Sequence, residues 1–587
     1  MLLISLQRRS QRLGPPLWLP YGTSPCVKTH LWSYLPSHAL AQDEGDRGVF
    51  QTLPGHEGLV TCVRFVSDTA FTSADDRGAL FLWRRAESHW RATGRIQAHA
   101  KAISTLCVLD DWIATGSSDA SVKVWRIKPG GEGSDELVEE QAITLKGRYP
   151  LSLALAYLPQ SKGGVSRHQI LVLAIAGTDS NIHIWTRSDN TFVHASVLAG
   201  HEDWVKALDF LVPHSADQPL ILASGSQDAT IRLWTIEPYN RDVSTPRNYQ
   251  AAEGLSDELL DAFEASLGDV GEAEEGGKQI SLKRHVLTVK SDQGSSQQYS
   301  ITFDALLVGH EAAVTSLAWK TSSSSLTSPT PTLLSTSTDS SVILWSPSTI
   351  GAPTQEDSTS IWINRQRFGD IGGQRLGGFV GGAWAKNGNE ALAWGWAGGW
   401  RRWVSSSSER ARDEAWAEAG AIGGHNGPVK GIDWSPSGRY LLSSGLDQTT
   451  RIHGAIPSTD PANSAWHELS RPQVHGYDLL DVAFIDPLRF VSIADEKVAR
   501  VFEAPGNFVD LAEELGVAKF TESEHNRPIG AAVPPLGLSN KAMEDAKPQD
   551  VVREAVKRRP FEGELASTTL WPEIEKIFGH GYEVRGV

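Results

Sequence analysis

Cysteine is scarce: the 587 residues contain three, Cys26, Cys62 and Cys107. There is no CxxC and no Cys/His ligand cluster, so a disulfide framework and a structural zinc site are both excluded as organising devices. Runs of ~18 apolar residues are also absent, which excludes a helical membrane span. Positive charge is in deficit. There are 54 Lys and Arg against 70 Asp and Glu, a formal net charge of −16. A generally basic nucleic-acid binder is ruled out, while a local basic patch is not. The acidity is concentrated: residues 251–277 hold nine acids and no base, and residues 131–140 hold five and no base. What is abundant is tryptophan, with 21 residues, and glycine, with 54.

The tryptophans follow a repeat. SSDASVKVW, GTDSNIHIW, SQDATIRLW and STDSSVILW end at Trp125, Trp185, Trp234 and Trp345, each with Asp six residues earlier: Asp119, Asp179, Asp228 and Asp339. The segment between Asp and Trp alternates like a short strand. Upstream stand AH at His99 and GH at His201 and His310, and the opening recurs at His56, His425, His475 and His580. This strand–turn punctuation is the WD-repeat signature of an all-β propeller. Within one blade the Asp carboxylate accepts from the incoming His, the His reaches a Ser or Thr hydroxyl, and the hydroxyl reaches the Trp indole. The expected tetrads are His99–Thr115–Asp119–Trp125, His201–Ser224–Asp228–Trp234 and His310–Ser335–Asp339–Trp345. A Ser, His and Asp together invite a hydrolase reading. That set repeats once per blade, as an active site does not, and no GxSxG elbow accompanies it. No catalytic residue, metal ligand or cofactor site is assigned.

The first blade ends at Trp83 and departs from the pattern: Arg77 holds the slot six before it, which leaves Asp76 as the expected acid. The third replaces the GH opening with LKGRYPLS, placing Arg148 and Tyr149 at the expected His. A sixth, degenerate blade ends at Trp403, and two more open at His425 and His475, with His453 and Phe502 in the Trp slots.

Longer stretches resemble one family. RGVFQTLPGHEGLVTCVRF (47–65), AHAKAISTLCVLDDWIATGSSDASVKVWRI (98–127), SIWINRQRFGDIGGQRLGGFVGG (360–382), RPQVHGYDLLDVAFIDPLRFVSIADEKVARVFE (471–503) and WPEIEKIFGHGYE (571–583) are similar to the second-subunit family of the Elongator complex, tandem WD-repeat scaffolds. The resemblance implies two seven-bladed propellers. The blades ending at Trp83 through Trp403 would be the second to seventh of the first propeller. Those at His425 and His475 would open the second, and His580 its third. The expected division is a non-family, disordered extension over 1–46, a first propeller over 47–405 with an insertion at about 237–300, and a partial second propeller over 406–587. A transit peptide is the competing reading of the basic N-terminus; its prolines at 15, 16, 20, 25 and 36 disfavour the helix that needs.

The family implies a non-catalytic scaffold, cytoplasmic with a nuclear pool, holding the largest and the catalytic Elongator subunits and supporting wobble-uridine modification of transfer RNA. No membrane contact and no small-molecule substrate are expected. Two segments stand out as surfaces. Arg365, Arg367 and Arg375, beside Trp362 and Phe368, and then Arg401 and Arg402, suit a partner or RNA surface. LSDELLDAFEASLG (255–268) reads as a capped helix with Leu259, Phe263 and Leu267 on one face. The competing functions are a direct RNA-binding protein, the scaffold of another complex, and a propeller enzyme.

Overall fold

The computed structural model describes residues 2–4, 28–33, 49–86, 89–130, 134–159, 170–213, 218–239, 284–290, 296–320, 330–349, 360–369, 378–385, 388–395, 399–406, 415–421, 423–457, 465–532, 540–543, 558–584 and 586. The fold is all-β, built mainly from four-stranded antiparallel sheets, the blades that the propeller expectation calls for. It divides into two compact units. The expected insertion helix at 255–268 lies outside the described residues.

One unit comprises Gly55–Gly373 and Gly378–Asn387. Its blades are lettered in chain order. Blade A is Val60–Ser67, Ala70–Asp75, Ala79–Ala86 and His89–Gln97. Blade B is Ile103–Leu109, Trp112–Ser117, Ser121–Pro129 and Asp135–Thr144. Blade C is Pro150–Tyr157, Leu171–Gly177, Ile182–Ser188 and Thr191–Leu198. Blade D is Val205–Leu211, Leu220–Ser226, Thr230–Pro238 and Ser296–Val308, with His285–Lys290 as a fifth, outer strand. Blade E is Val314–Trp319, Leu333–Ser337, Ser341–Thr349 and Ser360–Gly369. The strand Phe379–Ala385 follows.

The core lies between blades. Second strands are the most buried, and Leu171–Gly177 is buried along its whole length, between the sheets of blades B and D. Leu171–Gly177 is accordingly a continuous apolar run, whereas the other second strands carry small hydroxyl residues whose polar atoms are taken up by the blade's own hydrogen bonds, as Thr115, Ser224 and Ser335 are. Gly225 shows how close the approach is. A Cβ there would stand 2.6 Å from Val314 Cγ1 of the next blade. Polar staples join successive first strands. Thr61 Oγ1 and Ser104 Oγ donate to the carbonyls of Ile103 and Pro150, and Ser152 Oγ accepts the Leu208 N–H at 3.0 Å. Asp209 Oδ2 accepts the Trp319 N–H at 2.7 Å, and the Trp319 indole donates to the Asp209 carbonyl.

The other unit comprises Met1–Pro54, Gln374–Gly377 and Gly388–Val587. Within the first 54 residues the strands Leu2–Ile4, Lys28–Ser33 and Val49–Pro54 pair antiparallel in that order. Further on, Glu390–Gly395, Trp400–Ser406 and Ala415–Ala419 pair in sequence. Blade F is Val429–Trp434, Tyr440–Gly445, Thr449–Ile456 and Ala465–Val474. Blade G is Leu479–Asp486, Arg489–Ala494 and Ala499–Glu503, closed by Glu573–Ile577. Between its third and fourth strands run helix α1 (Gly506–Glu514) and helix α2 (Glu562–Thr568). Phe508, Val509 and Ala512 of α1 join Tyr440, Phe490 and Trp571 in one core.

Candidate interaction surface

The signature residues meet inside each blade. In blade B, His99 Nδ1 lies 3.0 Å from Asp119 Oδ2 and Nε2 lies 2.8 Å from Thr115 Oγ1, which also receives the Trp125 indole N–H at 2.9 Å. In blade D the corresponding distances for His201, Asp228, Ser224 and Trp234 are 3.0, 2.9 and 3.2 Å. In blade E those for His310, Asp339, Ser335 and Trp345 are 3.2, 2.7 and 2.9 Å. Burial alone would raise the carboxyls of Asp228 and Asp339. The hydrogen bonds from His201 and Thr230, and from His310 and Ser341, outweigh it and hold both well below the usual carboxylate range. The serine oxygens are buried and already engaged by an imidazole and an indole, so the arrangement is structural.

A further member escaped the sequence reading. Ser121, Thr230 and Ser341 each donate a hydroxyl to the preceding Asp Oδ1 at 2.6 Å. The residue between, Ala120, Ala229 or Ser340, has φ between 64° and 66°, so the side-chain bond secures a left-handed turn without glycine. A hydroxyl two residues after each Asp was the available signal. Blade A corrects the expected acid. Asp75, not Asp76, meets His56 at 2.8 Å, and Ser73 Oγ takes both His56 Nε2 and the Trp83 indole N–H. Asp76 instead accepts the Leu59 N–H. Blade F keeps His425, Ser443 and Asp447 in contact, with His453 in the Trp slot.

Blade C is built differently. His183 Nε2 lies 2.8 Å from Asp179 Oδ2, and Arg148 Nη1 approaches the same oxygen at 3.3 Å. Asp179 Oδ1 and the Trp185 indole nitrogen are buried without a hydrogen-bond partner.

The expected arginine surface divides. Arg365 is exposed on the outer strand of blade E. Arg367 is partly buried, 3.6 Å from Asp339 Oδ2 and 3.7 Å from Glu311 Oε1. Arg375 lies outside the described residues. Arg401 and Arg402 correct the expectation, because they are buried. Their strand is paired on both sides, and each guanidinium ends on a carboxylate: Arg401 on Glu418 at 2.8 Å, Arg402 on Glu390 at 2.9 and 3.0 Å. Arg402 also donates to the Gly420 carbonyl. Neither side chain can serve a partner.

A buried ionic cluster near blade F was not legible. Glu468 accepts from Arg451 Nη1 at 2.9 Å and from Arg471 Nε at 2.9 Å, and Arg471 Nη2 reaches Glu562 Oε1 of α2 at 2.8 Å. Burial opposes ionisation of Glu468, but the two guanidinium charges win and hold its carboxyl low. For Glu562 burial wins, and its carboxyl is raised. Among the described residues no group of three or more His, Cys, Asp or Glu side chains is disposed to hold a metal ion.

The repeat family described as WD domain, G-beta repeat, matches residues 48–84, 90–126, 192–235, 301–346 and 418–453. Elongator complex protein 2 of Drosophila melanogaster is 31% identical over 97% of this chain and 68% of its own length. The proteins of that name from Schizosaccharomyces pombe and Saccharomyces cerevisiae are each 32% identical, over 91% and 92% of this chain. The chain spans 64% of the former's length and 66% of the latter's, just under two thirds.

Proposed function

Since the chain belongs to the Elongator complex protein 2 family, we propose that it is a non-catalytic scaffold of an Elongator complex. It holds the largest and the catalytic subunits and thereby supports modification of wobble uridines in transfer RNA. This reading implies a cytoplasmic site of action, with a nuclear pool. The observation that carries it is a similarity running along 97% of the chain, through blades whose polar residues are consumed in holding the blades themselves. The Ser–His–Asp sets of blades A, D and E are each closed by an indole, and their hydroxyls are buried away from any substrate. Such blades offer rigid contact area, the quantity that multi-subunit assemblies use. Direct RNA contact through the arginines loses support with the burial of Arg401 and Arg402 in ion pairs.

The test is complementation. The 587-residue chain is expressed in cells lacking their own second subunit. Co-purification of the largest and catalytic subunits and recovery of modified wobble uridine, read by nucleoside mass spectrometry, are expected. Absence of both subunits from the purified chain defeats the reading.

A further inference from the structure

Blade C is the point in its unit where the repeat has been given up. Its neighbours B and D close their networks with an incoming His, three residues before Ala102 and Trp204; in blade C the register corrects the expected place of Arg148 and Tyr149, because Lys146 stands three residues before Tyr149 and Arg148 reaches Asp179 instead. The exchange leaves Asp179 Oδ1 and Trp185 Nε1 buried and unpartnered. An orphaned buried polar atom is costly, because the hydration it loses is not replaced. Departures from an otherwise consistent pattern at such a cost concentrate where a protein does something other than fold.

Two aromatics stand exposed at the entrance to the first strands of blades C and D. Tyr149 immediately precedes Pro150 and is 48% exposed; Trp204 immediately precedes Val205 and is 44% exposed. These two strands are neighbours, joined by Ser152 and Leu208. The aromatics therefore occupy the same level on adjacent blades. Both backbones are pinned. Tyr149 exchanges hydrogen bonds with Thr178, donating to Oγ1 at 3.2 Å and accepting at its carbonyl at 3.1 Å. Trp204 donates to Asp203 Oδ1 at 2.7 Å, and its carbonyl accepts the Gln227 N–H at 2.9 Å. Exposed aromatics on an immobilised backbone lose little freedom on binding and make efficient anchors.

The charges around them select the occupant. Lys101, Lys146 and Arg148 are exposed on the blade B and C side. Arg148 keeps one nitrogen 3.3 Å from Asp179, while Glu202 and Glu311 are exposed at the openings of blades D and E and Asp203, beside Trp204, has its carboxylate engaged by the Trp204 N–H and Gln227. A cationic arc this short, ending at acidic neighbours, fits a short acidic stretch of protein with apolar side chains between its carboxylates. A continuous phosphate backbone would be carried past Glu202 and Glu311. We propose that Tyr149, with Lys101, Lys146 and Arg148 around it, and Trp204 at the acidic edge on the next blade form a docking site for a short acidic segment of a partner protein, its carboxylates on the blade B and C side and an apolar side chain on Trp204. The site stands on this geometry alone, whichever complex the chain enters.

The test uses the full chain and three fluorescent probes: a twelve-residue peptide of alternating Glu and Leu, its Lys–Leu counterpart, and a twelve-nucleotide uridine RNA. The acidic peptide is expected to bind and to weaken with salt. Trp204→Ala and Lys146→Glu are each expected to weaken it at least about tenfold. Arg439→Glu, on the exposed turn between the first two strands of blade F, serves as a control that leaves binding unchanged. Both site variants change exposed side chains, and an unaltered melting curve checks their folding. No acidic-peptide binding, binding indifferent to both variants, or preference for the RNA or the Lys–Leu peptide overturns the proposal.

Discussion

Asp228 and His201 meet with Oδ2 and Nδ1 3.0 Å apart, and the same Asp oxygen accepts the backbone N–H of Glu202 at 2.9 Å. One carboxylate thus fixes the imidazole and the turn that carries it into the blade. Its other oxygen holds Thr230, through both the backbone N–H and the hydroxyl. The anion is the hub, and its removal is the most direct test of what the signature does.

Asp228→Asn keeps the shape and removes the charge. The Asp228 carboxyl is held below its ordinary value of 3.8 in the folded chain. A depressed folded value stabilises the fold at every pH above the unfolded value and loses that contribution as pH falls through the folded one. The variant is therefore expected to melt lower than the parent at pH 7, by a loss of about 1–3 kcal/mol. The gap narrows as pH is brought below 4. Thermal melts across pH 3–8 check it; a gap that widens in acid contradicts the argument.

Trp185→Phe and Trp234→Phe separate the complete blade from the dismantled one. The Trp234 indole donates to Ser224 at 3.2 Å, whereas that of Trp185 is buried without an acceptor. Removing a satisfied donor strands its acceptor, and removing an unsatisfied one relieves a penalty. Trp234→Phe is expected to be the more destabilising by roughly 1 kcal/mol, measured by urea denaturation followed by far-UV circular dichroism. Equal losses contradict it.

The tetrads of blades B, D and E were readable because their members recur at fixed spacing on strands whose alternation sets which face each occupies. Asp75 was missed because that spacing breaks. It follows Ser73 by two residues, where Asp119 follows Thr115 by four. The turn can place either carboxylate under the imidazole, and sequence distance alone does not choose. The burial of Arg401 and Arg402 is hidden from the sequence for a related reason. Arginine beside glycine and tryptophan looks like surface until the registers are known that set Glu418 and Glu390 on flanking strands. The Arg471–Glu562 pair joins residues 91 apart through α2, and no local pattern announces such a contact.

His453 gives a pH dependence of the opposite chemical type. It occupies the Trp slot of blade F, and burial pushes its imidazole down to about 4 from 6.5. Between those values the unfolded chain takes up a proton that the folded chain refuses, so stability contributed by neutral His453 is lost as pH falls from 6.5 towards 4. His453→Phe cannot take up that proton. Its melting temperature is expected to fall less steeply than the parent's over this window, with the two curves parallel above pH 7. Parallel curves throughout would show that His453 is not the titrating group.

Glu468 neutralises two guanidinium groups at once, and Arg451 and Arg471 are both fully buried. Glu468→Gln leaves a hydrogen-bonding oxygen but withdraws the charge, so two cations remain with Asp447 on one and Glu562 on the other. Breaking a buried pair by removing one partner costs about 3–5 kcal/mol. A loss of that size is expected for blades F and G while the blade A–E unit, which contains none of these residues, keeps its own transition. Limited proteolysis with mass spectrometry distinguishes the two, since early cleavage should fall within residues 423–584. The Glu562 carboxyl is already raised by burial, so Glu562→Gln is expected to be the milder change. If Glu562→Gln proves as damaging as Glu468→Gln, the charge at α2 carries as much of the fold as the one at the centre of the cluster, and the ordering argued here fails.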